Sequence, residues 1–302
     1  MQGVGDKVAK KDKIRERMRA VTDHAATGLA VLSTLLVVAP LVAIFVYLVY
    51  KGASSLNLAF FTELPKPEGE TGGGMANAIL GSGVLLGVAS CIGIPVGIGG
   101  GIFLAEFGRG TRLANAVRFT ADVLNGVPSI VMGVAAYALI VKPQNHIIPF
   151  SGHFSAFSGG VALGIMMIPT VCRTTEEMLL MVPHAVREAA LALGVPNWRS
   201  VLSITVKTAS PGIITGCMLA FARVAGETAP LIFTALGNQF WSTSLDRPIA
   251  ALPLQIYIYA LSPYDDLHRL AWGGALVLIV LIVLAVSLVR YVTSRGVLKG
   301  AS

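Results

Sequence analysis

Two stretches of this sequence place ionisable side chains inside long apolar runs. One reads Met167-Ile-Pro169-Thr-Val-Cys-Arg173-Thr174-Thr175-Glu176-Glu177 and the other Ala220-Phe-Ala-Arg223-Val-Ala-Gly226-Glu227-Thr228-Ala-Pro230. A charged group at the centre of a bilayer costs about 2.5–3.5 kcal/mol on an insertion scale. Five such groups need partners, a water-filled path or a place near the interface. Arg223 and Glu227 stand at i,i+4, as do Arg173 and Glu177, with Glu176 at i+3 from Arg173, the spacing of neighbours on one helix face. The sequence therefore predicts an ion pair within each helix. Arginine stays charged and presents a fork of donors that matches an oxyanion. Thr174, Thr228 and Ser129 add hydroxyl donors. The chemistry on offer is passage of an anion, not bond making. The bland readings are a structural ion pair for Arg223 and snorkelling toward the headgroups for Arg173, which lies nearer a span end. Glu227 either neutralises Arg223 until an anion displaces it or is protonated and donates.

Pro128, Pro169 and Pro230 lie in the same apolar runs. Proline removes a donor and clashes with the carbonyl four residues back. Irregular backbone at membrane depth is tolerated where protein or water satisfies it. Three predicted helix breaks beside charged or hydroxyl residues point to a lined passage; simple kinks are the alternative. Enzyme signatures are absent: no G-x-x-x-x-G-K-[ST], no H-E-x-x-H and no G-x-S-x-G. Cys91, Cys172 and Cys217 lie far apart without a C-x-x-C, so neither a disulfide framework nor a metal cluster is expected.

These residues must be carried by membrane helices. Of 302 residues, 54% are hydrophobic and 13% charged, with a mean hydropathy of +0.73. A soluble domain is about a quarter charged, so this chain lacks the polar surface to cover a globule. Apolar runs near the ~20 residues of a span fall at Leu29–Val49, Ala76–Leu104, Thr120–Val141, Gly159–Val182, Pro211–Leu236 and Ala271–Val292. The expected fold is all-α and polytopic with six transmembrane helices. Gly97-Ile-Gly-Gly-Gly101 reads as small residues that let two helices approach closely, not as a dinucleotide fingerprint.

With the N-terminus inside, sixteen Lys and Arg fall on inner segments and five on outer ones. That bias places both termini in the cytoplasm. The expected organisation is a basic cytoplasmic segment at 1–26, a permease-like domain at 27–293 and a cytoplasmic tail at 294–302. The first run reads as a retained helix rather than a cleaved signal. The basic Lys7–Lys13 stretch beside it is expected to meet anionic headgroups, not nucleic acid.

The inner loop 183–210 holds a short rod. Pro183 suits a helix start, and Gly194 with Pro196 suits its stop. The enclosed ~10 residues rise ~15 Å, too short to span. Physics alone leaves docking on a cytoplasmic partner and tying two spans together about even.

The pattern Glu188-Ala189-Ala190, Gly194, Ile204 and Pro211-Gly212-Ile213 resembles the E-A-A loop of ABC importer permeases, departing from it where Val206-Lys207 replaces Leu-Pro. More specifically, Arg-x-x-Gly-Glu-Thr-Ala-Pro-Leu-x-Phe-Thr at 223–234, Gly-Val-Pro-Ser-Ile-Val-x-Gly at 126–133, Arg-Thr-Thr-Glu-Glu at 173–177 and Ala-Leu-Pro-x-Gln-Ile-Tyr at 251–257 resemble the PstA-type permeases of the phosphate-specific transport system. The resemblance implies a type I ABC importer permease fold in a prokaryotic inner membrane. It implies import of inorganic phosphate by alternating access. It also implies a homologous second permease, two ATP-binding subunits that use ATP and Mg, and an extracytoplasmic phosphate-binding protein. This chain would itself be non-catalytic and bind no cofactor. Arg173, Arg223, Glu227, Thr228, Ser129 and Glu177 become candidate pathway residues. Glu188, Ala189, Ala190 and Gly194 become the ATPase-coupling residues. The alternatives are a sister permease for sulfate or molybdate, a proton-coupled secondary transporter using Glu227 and Asp122 as relays, and a signalling scaffold.

Overall fold

The computed structural model describes residues 2–67, 69–108, 110–143 and 152–299, with side chains described for Arg15 and from Met18 to Thr293 outside those gaps. Arg109, the side chains of the Lys7–Lys13 stretch and those of Arg295 and Lys299, all expected on the cytoplasmic side, lie outside the described residues. The chain divides into two units, 1–51 and 52–302. The first is the body of one helix, α1 (Gln2–Ala53). Its apolar part exposes Leu29, Leu32, Leu36, Val37 and Phe45 alike. Apolar residues all round are the mark of a membrane-crossing helix.

The second unit holds the remaining helices. A short α2 (Leu58–Thr62) is capped by Asn57, whose Oδ1 accepts from Phe60 N at 2.8 Å. α3 (Ala76–Ile102) runs on into a π-helical turn, Phe103–Phe107. α4 (Arg112–Gly126) starts at Thr111, whose hydroxyl accepts from Ala114 N. α5 (Ser129–Ala136) extends into a second π turn, Tyr137–Val141. α6 (Ala156–Leu180) follows, then α7 (His184–Ala192). α8 (Asn197–Ser200), a third π turn (Val201–Thr205) and α9 (Val206–Ala225) form one continuous rod. α10 (Ala229–Thr234), α11 (Leu252–Ala260) and α12 (Asp265–Lys299) complete the chain.

Among the described residues, five helices are long and apolar enough to cross a membrane, and a sixth span exists if α4 and α5 count as one. The expected third span, Thr120–Val141, is not a single helix. It bends by 109° at Val127–Pro128. The expected fifth span also moves. Pro211–Leu236 was the apolar run, yet the helix occupies Asn197–Ala225 and breaks at Gly226–Thr228. Much of the 183–210 loop is therefore helix.

The core forms where α6 meets α3 and α9. Gly93, Gly97 and Gly101 repeat every four residues along one face of α3. A Cβ on Gly97 would stand 2.6 Å from Val171 Cβ, and one on Gly101 would stand 2.5 Å from Thr175 Cβ. Only glycine lets the two backbones come this close. Around that seam Leu85, Leu163, Met167, Val171 and Leu179 are buried with Ile213 and Ala220 of α9.

Candidate functional site

α4 carries polar residues at 112, 115, 118, 122 and 125, a three-to-four spacing that makes one stripe on a helix. That stripe faces α6. Asn125 Oδ1 accepts from Thr170 Oγ1 at 3.1 Å. Asp122 Oδ1 lies 3.0 Å from Arg173 Nε. Arg118 Nε donates to Glu176 Oε1 at 2.6 Å, and Arg173 Nη1 donates to Glu176 Oε2 at 2.9 Å. Ascending α4 thus matches descending α6, three rungs in antiparallel order. Glu176 sits at the centre, buried, with one guanidinium on each carboxylate oxygen. Arg118 also donates to Leu104 O and Asn115 Oδ1.

This ladder keeps the i,i+3 pair of Arg173 with Glu176 and corrects the i,i+4 pair with Glu177. Arg173 bonds Glu176 and Asp122, while Glu177 is exposed and lies outside the ladder. Glu177 projects from another part of the helix surface than Glu176, and Asp122 comes from a different helix. Two cations and two carboxylates make the ladder neutral overall. Its charges satisfy one another and fasten α4 to α6.

Arg223 behaves differently. It lies in the last turn of α9, which ends at Ala225 with Gly226 as its C-cap. A cation there is favoured by the helix dipole. Glu227 lies past the helix end, so the expected i,i+4 pair does not form. Among the described residues Arg223 has no ion-pair partner, and its side chain is exposed. Glu227 instead borders a small cavity with Ser82, Leu163, Ala251 and Pro253. Thr228 Oγ1 makes a long contact, 3.4 Å, to Pro253 O.

Of the three expected helix breaks, the structure has breaks beside Pro128 and Pro230 and none at Pro169. Pro128 is the N-cap of α5, and Pro230 lies in the first turn of α10. Both begin a helix, where a missing donor costs nothing. Pro169 breaks nothing; α6 runs through it. The two new helices pack together, for a Cβ on Gly133 would meet Pro230 Cα at 2.8 Å. Ser129 opens α5 four residues before that contact, ~6 Å along the axis. The side chains expected to line one path thus separate into the α4–α6 ladder and the region of the two breaks.

In the loop expected on the cytoplasmic side, α7 matches the predicted rod. Pro183 is its N-cap. Its C-terminus closes with Val195 N donating to Ala190 O and Gly194 N to Leu191 O. Gly194 has φ +77°, the left-handed cap that glycine adopts without a Cβ penalty. Glu188 and Ala189 are exposed, and Ala190 is buried. Leu193 is 84% exposed and Trp198 60%, leaving two apolar side chains on a surface that would otherwise be solvated.

Arg118 and Asp122 are the members of the ladder that sequence reading passed over or cast otherwise. The signal for Arg118 and Asp122 was the polar stripe of α4.

The family described as binding-protein-dependent transport system inner membrane component matches residues 97–296. A phosphate transport system permease protein PstA from Yersinia pestis is 48% identical over 82% of this chain and 81% of its own length. Its counterpart from Haemophilus influenzae is 43% identical over 91% of this chain and 94% of its own. Among solved structures, an inward-facing MetNI methionine ABC transporter chain superposes with a TM-score of 0.55 at 20% identity, over 74% of this chain and 96% of that one. That last likeness speaks to the fold alone.

Proposed function

The chain belongs to the binding-protein-dependent transport system inner membrane components, a family of multi-pass permeases, and we propose that it is the permease subunit through which an ATP-driven importer moves inorganic phosphate into the cell. The substrate is taken from the relatives named for phosphate transport. The observation that carries the reading is Arg223. It is an exposed guanidinium at the broken end of a membrane helix, with no ion-pair partner among the described residues. Such a group can exchange water for an oxyanion and release it again, which conduction requires. Arg173, by contrast, is already neutralised by Glu176 and Asp122 and serves to set the position of α6 against α4.

In this reading a second permease of the same family completes the path. Two ATP-binding subunits supply the energy, and an extracytoplasmic binding protein delivers phosphate. This chain hydrolyses nothing. ATP binding moves α7 through Glu188–Gly194 and the exposed Leu193 and Trp198, and the membrane helices alternate between outward and inward access. Thr228, Ser129 and Glu227, at the two helix breaks, line the phosphate route beside Arg223.

Arg223→Gln tests the assignment. The variant keeps a polar side chain with two amide donors in place of five but loses the charge. Phosphate uptake in reconstituted vesicles is expected to fall below a tenth of wild type while the complex still assembles. Normal uptake in an assembled Arg223→Gln complex contradicts the pathway assignment.

A further inference from the structure

One buried ion pair is not used by the pathway. Arg187, in the first turns of α7, donates from Nη2 to Glu106 Oε1 at 2.7 Å and from Nε to the same oxygen at 3.2 Å. It also donates to Val182 O at 2.6 Å and to Leu179 O at 2.7 Å. The side chains are 13% and 7% exposed. Glu106 lies in the π turn that ends the α3 rod, where a helix dipole disfavours an anion. It is retained there by the cation opposite. Leu179 and Val182 flank the C-terminal end of α6 at Leu180, where carbonyls lack helical partners. One guanidinium therefore joins α7 to the ends of both α3 and α6.

Those two helices are the pair locked by the Gly93, Gly97 and Gly101 seam. α6 in turn grips α4 through Glu176 and Arg118. An unbroken line of contacts runs from α7 through Arg187 to the α3–α6 body and on to the ladder. Breaking a buried pair strands a charge, so this joint resists slip when α7 is pulled.

We infer that Arg187 and Glu106 are positioning residues that fasten the coupling helix to the α3–α6 body, so that movement of α7 by the ATP-binding subunits becomes movement of the membrane helices. This rests on the transport reading above. It predicts a separation of two quantities that a merely structural pair would not separate. Hydrolysis by the partner subunits needs only docking of α7, whereas transport needs the joint.

The test uses the whole complex in proteoliposomes with its binding protein, comparing wild type with Arg187→Gln, Glu106→Gln and Arg187→Lys. Both Gln variants are expected to assemble, hydrolyse ATP and carry at least tenfold less phosphate per ATP. Lysine has three donors for the three acceptors, Glu106 Oε1, Leu179 O and Val182 O, so Arg187→Lys is expected to hold the ratio within about threefold of wild type. A second readout does not depend on the substrate. Spin labels at the exposed positions His184 and Val123 report the distance between α7 and α4 when a non-hydrolysable ATP analogue binds. A distance change in wild type, at least halved by Arg187→Gln, supports the joint. Gln variants with the wild-type ratio and the full distance change overturn it. So does failure of both Gln variants to assemble, since the pair would then serve folding alone. A wild-type complex that carries no phosphate yet shows the distance change defeats the substrate reading and leaves the joint standing.

Discussion

Replacing Glu176 with glutamine removes one charge from the middle of the α4–α6 ladder while filling the same space. The carboxylate is buried and accepts from Arg118 at 2.6 Å and Arg173 at 2.9 Å. Glutamine keeps one acceptor oxygen and turns an amide donor toward the other guanidinium. A hydrogen bond involving a charged group nets about 1.5–3 kcal/mol and a neutral one about 0.5–1.5. Arg118 keeps Leu104 O and Asn115, and Arg173 keeps Asp122. Both guanidinium side chains are about 30% exposed, so water recovers part of the loss. The expected cost is about 2–4 kcal/mol, less than the 3–5 of a fully buried orphaned charge. Unfolding in mixed micelles with rising denaturing detergent measures it. A cycle with Arg118→Gln isolates the pair, with an expected coupling of about 1–3 kcal/mol. Asp122→Asn is the contrast, because that carboxylate is exposed and an exposed pair is worth about 0–1 kcal/mol. Additivity of Glu176→Gln and Arg118→Gln within about 0.5 kcal/mol refutes the ladder.

Two further substitutions test the frame that carries the site. Gly97→Leu must force α3 from α6, since even a Cβ there lies 2.6 Å from Val171; it is expected to cost about 1–3 kcal/mol or more in the same unfolding assay, while Gly83→Leu, with open space around it, is expected to be tolerated. Gly194→Ala places a Cβ at φ +77° and is expected to cost about 1–2 kcal/mol and to weaken ATP-binding-subunit association measured by pull-down, with Gly194→Asn milder because asparagine tolerates the left-handed region better.

Much of the architecture was legible because membrane helices report themselves locally. Apolar length gave the spans, and Pro183 with Gly194 bounded α7. The glycines of Gly97-Ile-Gly-Gly-Gly101 announced close packing, and the structure adds Gly93 to the same face. What failed was any step that assumed one helix throughout. Apolarity does not stop where a helix does, so the breaks inside Thr120–Val141 and Pro211–Leu236 showed in their prolines, Pro128 and Pro230, and not in the run lengths. The signals were present: Gly226 as a stop and Pro230 as a first-turn residue mark the second break. Placing Glu227 beyond that stop removes it from the face of Arg223. Of the partners of Arg173, Glu176 stood in view at i+3, while Asp122 was illegible for another reason. Spacing rules rank neighbours within a helix, and they preferred Glu177, whereas Asp122 lies 51 residues earlier on a helix whose docking is a tertiary fact. Arg187 and Glu106 are separated by 81 residues, and nothing local in the sequence relates them.

The most direct test of phosphate import is substrate competition in the reconstituted complex. Vesicles holding the permease pair, the ATP-binding subunits and the binding protein are supplied with ATP and radiolabelled phosphate, with sulfate or molybdate added in excess. The account predicts ATP-dependent accumulation of phosphate that unlabelled phosphate abolishes and that neither sulfate nor molybdate reduces. Accumulation that proceeds without ATP, or that sulfate or molybdate displaces as well as phosphate does, contradicts it.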